Sequence, residues 1–207
     1  MNSSFYCVGF VAMVAVLCVQ ADDFAKLAEK SPAGFQIQIT RKLDCDSKEA
    51  YKRFVDDFSK WYDASHSYSQ EAKNLSIDLQ RHCMLEVLPD GGFVRHMDVV
   101  FHQPGKTLRM TGGLGPLQGM GVSGALTYSF INDGSGSKLN VVYNVAGAEF
   151  LKLDRIADPV KEVLSMQMDR FQKYCSPSSE ARCNLGSFPS WNSGKSPCGS
   201  NCSSGQR

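Results

Sequence analysis

Histidines and carboxylates are the side chains best suited to proton transfer or metal binding in this 207-residue sequence, which contains four histidines. His96 and His102 share one face of a predicted strand with Asp98, opposite Met97 and Val99. Six residues along a strand separate the two histidines by about 20 Å, so they cannot hold one metal ion without partners from elsewhere. We therefore predict that these histidines lie on the solvated outer face of a sheet.

Acid–base catalysis needs a second group close to the first, and the sequence offers no such pair. Glu71, Glu86 and Asp98 are candidate acids, each without a recognisable partner. No serine has a histidine at an informative spacing, although a nucleophile and its base need to be neighbours only in space. The sequence therefore predicts no catalytic residues, no metal site and no cofactor, which favours a binding protein over an enzyme.

Two glycine-containing segments resemble nucleotide-binding motifs and depart from them. Gly105-Lys106-Thr107 has the ending of a P-loop, but Val100 stands where the first glycine belongs and a strand follows. The glycines of residues 112–121 lack the dinucleotide-binding spacing and link two strands. We predict a hairpin turn for the first segment. For the second we predict a loop or bulge that bends the sheet at a cavity mouth.

Composition and charge exclude several classes of protein. The chain is 43% hydrophobic, 21% charged and 10% aromatic, which is typical of a folded globular domain. Lys and Arg number 22 against 21 for Asp and Glu, a formal charge of +1. Without a basic excess there is no electrostatic reason to expect nucleic-acid binding.

The first 21 residues have the layout of a secretory signal peptide. Residues 5–19 are uncharged and apolar, and Val19 and Ala21 offer small side chains at the −3 and −1 positions of a cleavage site. The apolar run is shorter than the roughly 20 residues that span a bilayer. No Lys or Arg precedes the run, so an uncleaved anchor is the alternative. We expect a secreted protein that begins near Asp22 and has no membrane span after cleavage.

Cysteine usage agrees with export. Six cysteines remain after the signal: Cys45, Cys83, Cys175, Cys183, Cys198 and Cys202. The last four are disulfide candidates that would staple the tail to itself or to the final helix; a zinc site is the alternative, which export disfavours. Cys45 and Cys83 are open to a second interpretation as buried free thiols. Asn74 and Asn201 each begin an Asn-x-Ser triplet and are glycosylation candidates.

Hydrophobic periodicity predicts the order of elements. A lead-in at 22–33 precedes a body at 34–175 and a Ser-, Gly- and Cys-rich tail at 176–207. The body opens with a strand at 35–39 and a helix at 47–59 capped by Asp46 or Ser47. Six antiparallel strands follow, at 75–79, 84–88, 93–101, 107–111, 122–131 and 138–145, the third placing Phe93, Met97, Val99 and Phe101 on one face.

Apolar residues spaced three and four apart predict a final helix at 151–175, which either starts near Pro159 or is kinked there. The economical packing is an α+β domain in which a curved antiparallel sheet wraps around this long C-terminal helix. Aromatic and methionine side chains would line a cavity between the two layers, or else fill a simple core. The cavity candidates are Trp61, Tyr68, Met97, Met110, Tyr128 and Tyr143.

Several motifs resemble those of one superfamily. They are Trp61-Tyr62 with His66-Ser67-Tyr68-Ser69, Leu88-Pro89-Asp90-Gly91-Gly92, Val94-Arg95-His96-Met97, Pro104-Gly105-Lys106-Thr107-Leu108-Arg109, Gly113-Leu114-Gly115-Pro116-Leu117-Gln118 and Gly124-Ala125-Leu126-Thr127. Over residues 35–174 the chain resembles the SRPBCC (START-like, helix-grip) superfamily, particularly its branch of polyketide cyclases and heat-shock ATPase activators. The resemblance implies a helix-grip fold around a hydrophobic cavity that binds lipids, polyketides or hormones, in a minority of members for cyclisation or dehydration.

Three functions follow as hypotheses. The first is a secreted protein that binds a small hydrophobic ligand in the cavity, with tyrosine hydroxyls orienting it. The second is a cyclase- or dehydratase-like enzyme in the same cavity, which requires an inward-facing polar group. The third is a protein-interaction module. Its cytosolic version would be a heat-shock ATPase activator, and export of the protein would exclude that role.

Overall fold

The computed structural model describes residues 23–177, so the predicted signal segment, Asn201 and the tail cysteines Cys183, Cys198 and Cys202 lie outside the described residues. Eight antiparallel strands form one sheet: β1 (Phe24–Ser31), β2 (Gly34–Leu43), β3 (Leu75–Asp78), β4 (Cys83–Val87), β5 (Phe93–Gln103), β6 (Thr107–Thr111), β7 (Ser123–Asp133) and β8 (Gly136–Ala146). Their order across the sheet is β1-β2-β8-β7-β6-β5-β4-β3.

Within residues 23–177 three α-helices accompany the sheet: α1 (Ser47–Asp56), α2 (Phe58–Trp61) and α3 (Ala157–Cys175). Asp46 caps α1, because its side chain accepts hydrogen bonds from the backbone N–H groups of Lys48 and Glu49, both at 2.9 Å. Pro159 lies in the first turn of α3, where its missing N–H leaves no intrahelical bond unmade. The predicted α+β architecture, with six strands between a short helix and a long one, is confirmed.

One strand at the edge of the sheet was not predicted. β1 occupies residues that the sequence pattern leaves as a lead-in, and it pairs with β2 from Phe24 opposite Thr40 to Ser31 opposite Gly34. Its side chains are mostly exposed or half-buried, so they lack the clean alternation that marks a strand with one face in the core. Pairing with β2 rather than burial therefore defines β1.

Two β-bulges in β5 reverse the faces predicted for that strand. Met84 pairs with Met97 and Leu85 with Arg95, so His96 is an extra residue in the ladder. A second bulge leaves Val100 unpaired between Val99 and Phe101. Each extra residue shifts the alternation of side chains by one position. The side chains that face inward therefore have even residue numbers up to His96, odd numbers from Met97 to Val99, and even numbers again after the second bulge.

The shared face predicted for four residues of β5 is therefore wrong for two of them. Met97 is buried, whereas Phe93 is 69% exposed and Phe101 is 45% exposed. His102 returns toward the helices, with its ring 5.7 Å from that of Tyr51. The prediction of a solvated outer face is wrong for His96, which is buried, whereas His102 is exposed.

Aromatic rings form the centre of the core between the sheet and the helices. Phe54 of α1 has no exposed surface and contacts rings from both layers. Its ring partners are Phe58, Trp61, Tyr128, Phe130 and Phe171, at centroid distances from 4.6 to 6.5 Å. The apolar stripe predicted for the final helix supplies Phe171 to this cluster, so the stripe faces the sheet as expected.

A buried arginine joins the edge of the sheet to α3. The Arg41 guanidinium donates to the carboxylate of Asp169 at 2.6 Å, to the hydroxyl of Ser165 at 2.7 Å and to the carbonyl of Phe24 at 2.8 Å. These partners lie on α3 and β1, while Arg41 itself belongs to β2.

Among residues 23–177 no helix combines the length and the apolar character needed to cross a membrane.

Candidate functional site

A cavity of about 330 Å³ lies between α3 and the sheet. One wall is the apolar stripe of α3, from which Val160, Val163, Leu164 and Met168 line the cavity. Leu164 and Met168 are buried, whereas Val160 and Val163 are half-buried. The volume is at the lower end of the range for small-molecule sites, which is about 300–1,000 Å³.

The opposite wall comes from the sheet. Leu75, Met84, His96 and Tyr128 line it from β3, β4, β5 and β7 respectively. All four side chains are at least nine-tenths buried. Burial raises the pKa of Tyr128 well above its ordinary value, so its hydroxyl is a neutral donor at physiological pH.

The glycine-rich stretch after β6 is a loop between two strands, as predicted, and it forms a third wall. Residues 114–117 and Met120 line the cavity. All of them except Leu114 belong to a 3₁₀ turn, Gly115–Met120. Gly121 ends this turn in the left-handed region at φ 68°, which glycine adopts without a steric penalty. The buried hydroxyl of Tyr143 accepts a hydrogen bond from the backbone N–H of Leu114 at 3.1 Å and so fixes the loop to β8.

The segment after α2 completes the enclosure. Tyr62, His66 and Ser67 line the cavity from this segment. Gln167 of α3 holds it, because its side chain accepts from the N–H of Asp63 at 2.8 Å and donates to the carbonyl of the same residue at 2.9 Å. Burial raises the pKa of Tyr62, which therefore also remains a hydroxyl donor.

The six predicted cavity residues lie in three different environments, and Tyr128 is the one found in the lining. Trp61, Met97, Met110 and Tyr143 are buried in the core outside the lining. Tyr68 is 56% exposed, with its ring 6.0 Å from that of His96. The cavity is therefore defined mainly by α3 and by the loop after β6.

A buried carboxylate–imidazole pair lies at the sheet side of the cavity. Nε2 of His96 is 2.8 Å from Oε2 of Glu86, and the two side chains are 4% and 0% exposed. The same carboxylate accepts hydrogen bonds from the backbone N–H groups of Tyr68 and Ser69. His96 is thus buried in the cavity wall, and not on a solvated outer face.

Hydrogen bonding keeps the carboxylate of this pair ionised. Burial alone would raise the pKa of Glu86, but the hydrogen bonds from Ser69, His96 and Tyr68 lower it to about 2. A carboxylate can only accept hydrogen bonds, so Nε2 of His96 must be the donor. Nδ1 of His96 is buried and has no hydrogen-bond partner among the described residues.

Sequence reasoning missed this pair although a signal for it was present. Glu86 and His96 lie on two predicted strands joined by the turn at 89–92, and both have even residue numbers. Because side chains alternate between the two faces of a strand, a simple hairpin places both on the same face of the sheet. Because that face of the strand carries polar residues, the sequence pattern predicts that it faces solvent. In the structure Glu86 is enclosed by the backbone of Tyr68 and Ser69, a contact that strand alternation does not describe.

A second depression of about 500 Å³ has a different character. All of its lining residues come from strands and their ends, among them Lys30, Gln36 and Asn144, and no helix contributes to it. The side chains of Gln36 and Asn144 are already hydrogen bonded to each other at 2.7 Å. The cavity beneath α3 is therefore the better candidate site.

Two of the cysteines lie together away from the cavity. The thiols of Cys45, before α1, and Cys175, at the end of α3, are hydrogen-bonded neighbours, and both are free in the structure. The hydrogen bond from Cys175 lowers the pKa of Cys45 and raises that of Cys175 itself. Cys83 is a buried free thiol, and burial raises its pKa.

The glycosylation candidate Asn74 is half-buried at the end of a 3₁₀ turn, Ala72–Asn74.

Comparisons with known proteins place the chain by fold. No family model matches the sequence, and no curated protein matches it. A solution structure of a protein from Arthrobacter aurescens has a TM-score of 0.52 at 11% identity, covering 74% of this chain and 92% of that one. CalU16 from Micromonospora echinospora gives 0.46 at 13% identity, covering 78% and 89%. DynU16, a protein of the dynemicin biosynthetic locus, gives 0.46 at 12% identity, covering 67% and 46%.

At these identities the likeness concerns the fold alone. The curved antiparallel sheet that grips a C-terminal helix is the helix-grip fold, and it is the architecture predicted from the sequence.

Proposed function

We propose that this chain is a member of the SRPBCC superfamily that binds a small hydrophobic ligand between the sheet and α3. The observation that carries the proposal is the cavity itself, whose walls are mainly aliphatic and aromatic and whose polar groups are few. Ligand sites commonly combine an apolar lining with a small number of polar groups that orient the ligand. Tyr62, Tyr128 and His96 would supply those groups.

Filling the cavity from α3 tests this proposal. Val163→Trp places an indole where a half-buried valine lines the space, and we expect it to weaken binding of the fluorescent probe 1-anilinonaphthalene-8-sulfonate on the order of tenfold or more. Overpacking costs about 1–3 kcal/mol of stability, so the melting temperature is recorded alongside the fluorescence titration.

Glu162→Trp is the matched control, because Glu162 neighbours Val163 on α3 but is exposed and does not line the cavity. This variant is expected to bind the probe as the wild type does. Equal probe affinity for a folded Val163→Trp protein and the wild type would contradict the proposal.

A cyclase- or dehydratase-like activity in the same cavity is the second candidate function. The buried Glu86–His96 pair favours it, because a histidine held by a carboxylate is a common general base. This candidate requires the substrate to reach Nδ1, the ring nitrogen that Glu86 leaves available.

We further infer that the protein is exported and that Cys175 is oxidised with Cys45. The apolar segment at 5–19 and the cysteine content support export. The contact between the two thiols supports this pairing over the predicted bond from Cys175 to the tail. Such a bond would close a long loop and add about 2–4 kcal/mol to the free energy of unfolding.

Peptide mapping of the unreduced protein, purified from the medium of a secreting host, tests this inference. We expect an N-terminus near Asp22 and a linked pair of peptides that contain Cys45 and Cys175. A linkage of Cys175 to Cys183, Cys198 or Cys202 would contradict the proposed bond between Cys45 and Cys175. Retention of residues 1–21 would contradict cleavage of the signal segment.

A further inference from the structure

We propose that the Glu86–His96 pair selects hydrophobic ligands that carry a hydroxyl group, such as phenols and enols, by accepting a hydrogen bond from that hydroxyl at Nδ1 of His96. This inference rests on the proposed ligand-binding function and names the chemical class that the cavity prefers.

The orientation of the imidazole follows from its partner. Glu86 is ionised and accepts from Nε2 of His96 at 2.8 Å, so Nε2 carries the proton. In a neutral imidazole the other nitrogen then has a free lone pair and acts as an acceptor. The pair therefore provides an acceptor, backed by a negative charge, on a side chain that lines the cavity.

The acceptor nitrogen has no partner within the described part of the chain. Nδ1 of His96 is buried and makes no hydrogen bond with any residue that the structure describes. Buried polar groups in native proteins almost always have a partner, and leaving one without costs free energy. A ligand hydroxyl that reached Nδ1 would satisfy it, whereas a purely hydrocarbon ligand would not.

Two other polar side chains of the lining, Gln167 and Ser67, already make hydrogen bonds, and a third, His66, is exposed. The oxygen of Gln167 accepts from the backbone of Asp63, and the hydroxyl of Ser67 donates to the carbonyl of Ala64. Tyr62 and Tyr128 remain protonated, and they can donate to a second oxygen of the ligand. His96 differs from these side chains because it is buried and its Nδ1 has no partner within residues 23–177.

The exposed side chain of Tyr68 is a neighbour of the imidazole. The ring of Tyr68 lies 6.0 Å from that of His96 at an angle of 36°, and Tyr68 is 56% exposed. A residue so exposed can turn toward solvent without opening the aromatic core around Phe54. The backbone N–H of Tyr68 remains tied to Glu86, so the pair itself stays in place.

The test compares two probes of nearly equal shape, 2-naphthol and 2-methylnaphthalene, by fluorescence titration. We expect the wild type to bind 2-naphthol about tenfold more tightly, as one hydrogen bond to a charge-supported acceptor would provide. His96→Leu is expected to abolish this preference while retaining 2-methylnaphthalene. Glu86→Gln, which keeps an acceptor for Nε2 but loses the charge, is expected to reduce the preference.

Two further variants make the result unambiguous. His102→Leu applies the same substitution on the same strand, outside the cavity lining, and is expected to keep the full preference. If His96→Leu does not fold, His96→Phe replaces it, since phenylalanine keeps a planar ring in the cavity wall and has neither ring nitrogen. This variant is also expected to lose most of the preference for 2-naphthol.

The possible outcomes separate the two proposals. A preference for 2-naphthol that is equal in the wild type and in His96→Leu, or absent from the wild type, overturns the role of His96 while the cavity still binds. Failure of the folded wild type to bind either probe overturns the proposed ligand-binding function, and the inference with it.

Discussion

Phe54→Ala is expected to lower the free energy of unfolding by about 3–5 kcal/mol. Phe54 has no exposed surface, and its ring contacts five other aromatic rings from α2, β7 and α3. Truncation removes the ring from a site that several elements enclose together, so the surrounding chain can collapse only partly into the space. Urea denaturation of the two proteins measures the difference.

Phe150→Ala is the matched control for this prediction. Phe150 is 80% exposed, so the same truncation removes little buried surface and is expected to change stability by less than about 0.5 kcal/mol. Similar losses for both variants would show that the ring of Phe54 is not the centre of the core.

Loss of these ring contacts should also affect the candidate site. Phe54 contacts Tyr128, and Tyr128 lines the cavity. We attribute any loss of probe binding in Phe54→Ala to displacement of this wall, because Phe54 itself does not line the cavity.

Glu86→Ala is expected to cost about 3 kcal/mol or more at neutral pH. The carboxylate is fully buried and accepts hydrogen bonds from His96 and from the backbone of Tyr68 and Ser69. Removal leaves these donors without their partner and releases the segment after α2 from the sheet. Glu162→Ala, at an exposed position of α3, is the control and is expected to have little effect.

The pH dependence of this effect has a defined sign. The pKa of Glu86 falls from its ordinary value of 4.5 to about 2 on folding, so the unfolded chain binds more protons between these values. The stability that Glu86 contributes is therefore complete above about pH 4.5 and is lost as the pH falls toward 2.

Urea denaturation at a series of pH values tests this sign. The difference in stability between the wild type and Glu86→Ala is expected to be largest near neutral pH and to shrink across that acidic interval. A difference that is constant down to pH 2, or one no larger than that of Glu162→Ala, would contradict the role assigned to the buried carboxylate.

These two residues connect stability with the proposed function. The core around Phe54 supports the wall that contains Tyr128, and Glu86 holds both His96 and the segment that covers the cavity. The Glu86 carboxylate thus fixes both the segment after α2 and the orientation of the His96 imidazole. A binding site needs such support when its polar group has to be held in a fixed orientation.

The sequence by itself determined the features that depend on neighbouring residues. The strand predicted at 107–111 is β6 (Thr107–Thr111), and Asp46 is the cap of α1, one of the two residues expected there. The apolar stripe of the final helix faces the sheet and lines the cavity, as its spacing predicts. Alternation, capping and helical periodicity are local properties, so they can be read without knowledge of the fold.

Only the tertiary structure decided which side chains reach the site. His96 turns inward because β5 pairs with β4 in a register that leaves it as an extra residue, and Phe93 faces outward for the same reason. The loop at 114–117 lines the cavity because Tyr143, distant in sequence, holds the N–H of Leu114. Strand register and loop anchoring depend on partners far along the chain, and a local pattern of residue types does not encode them.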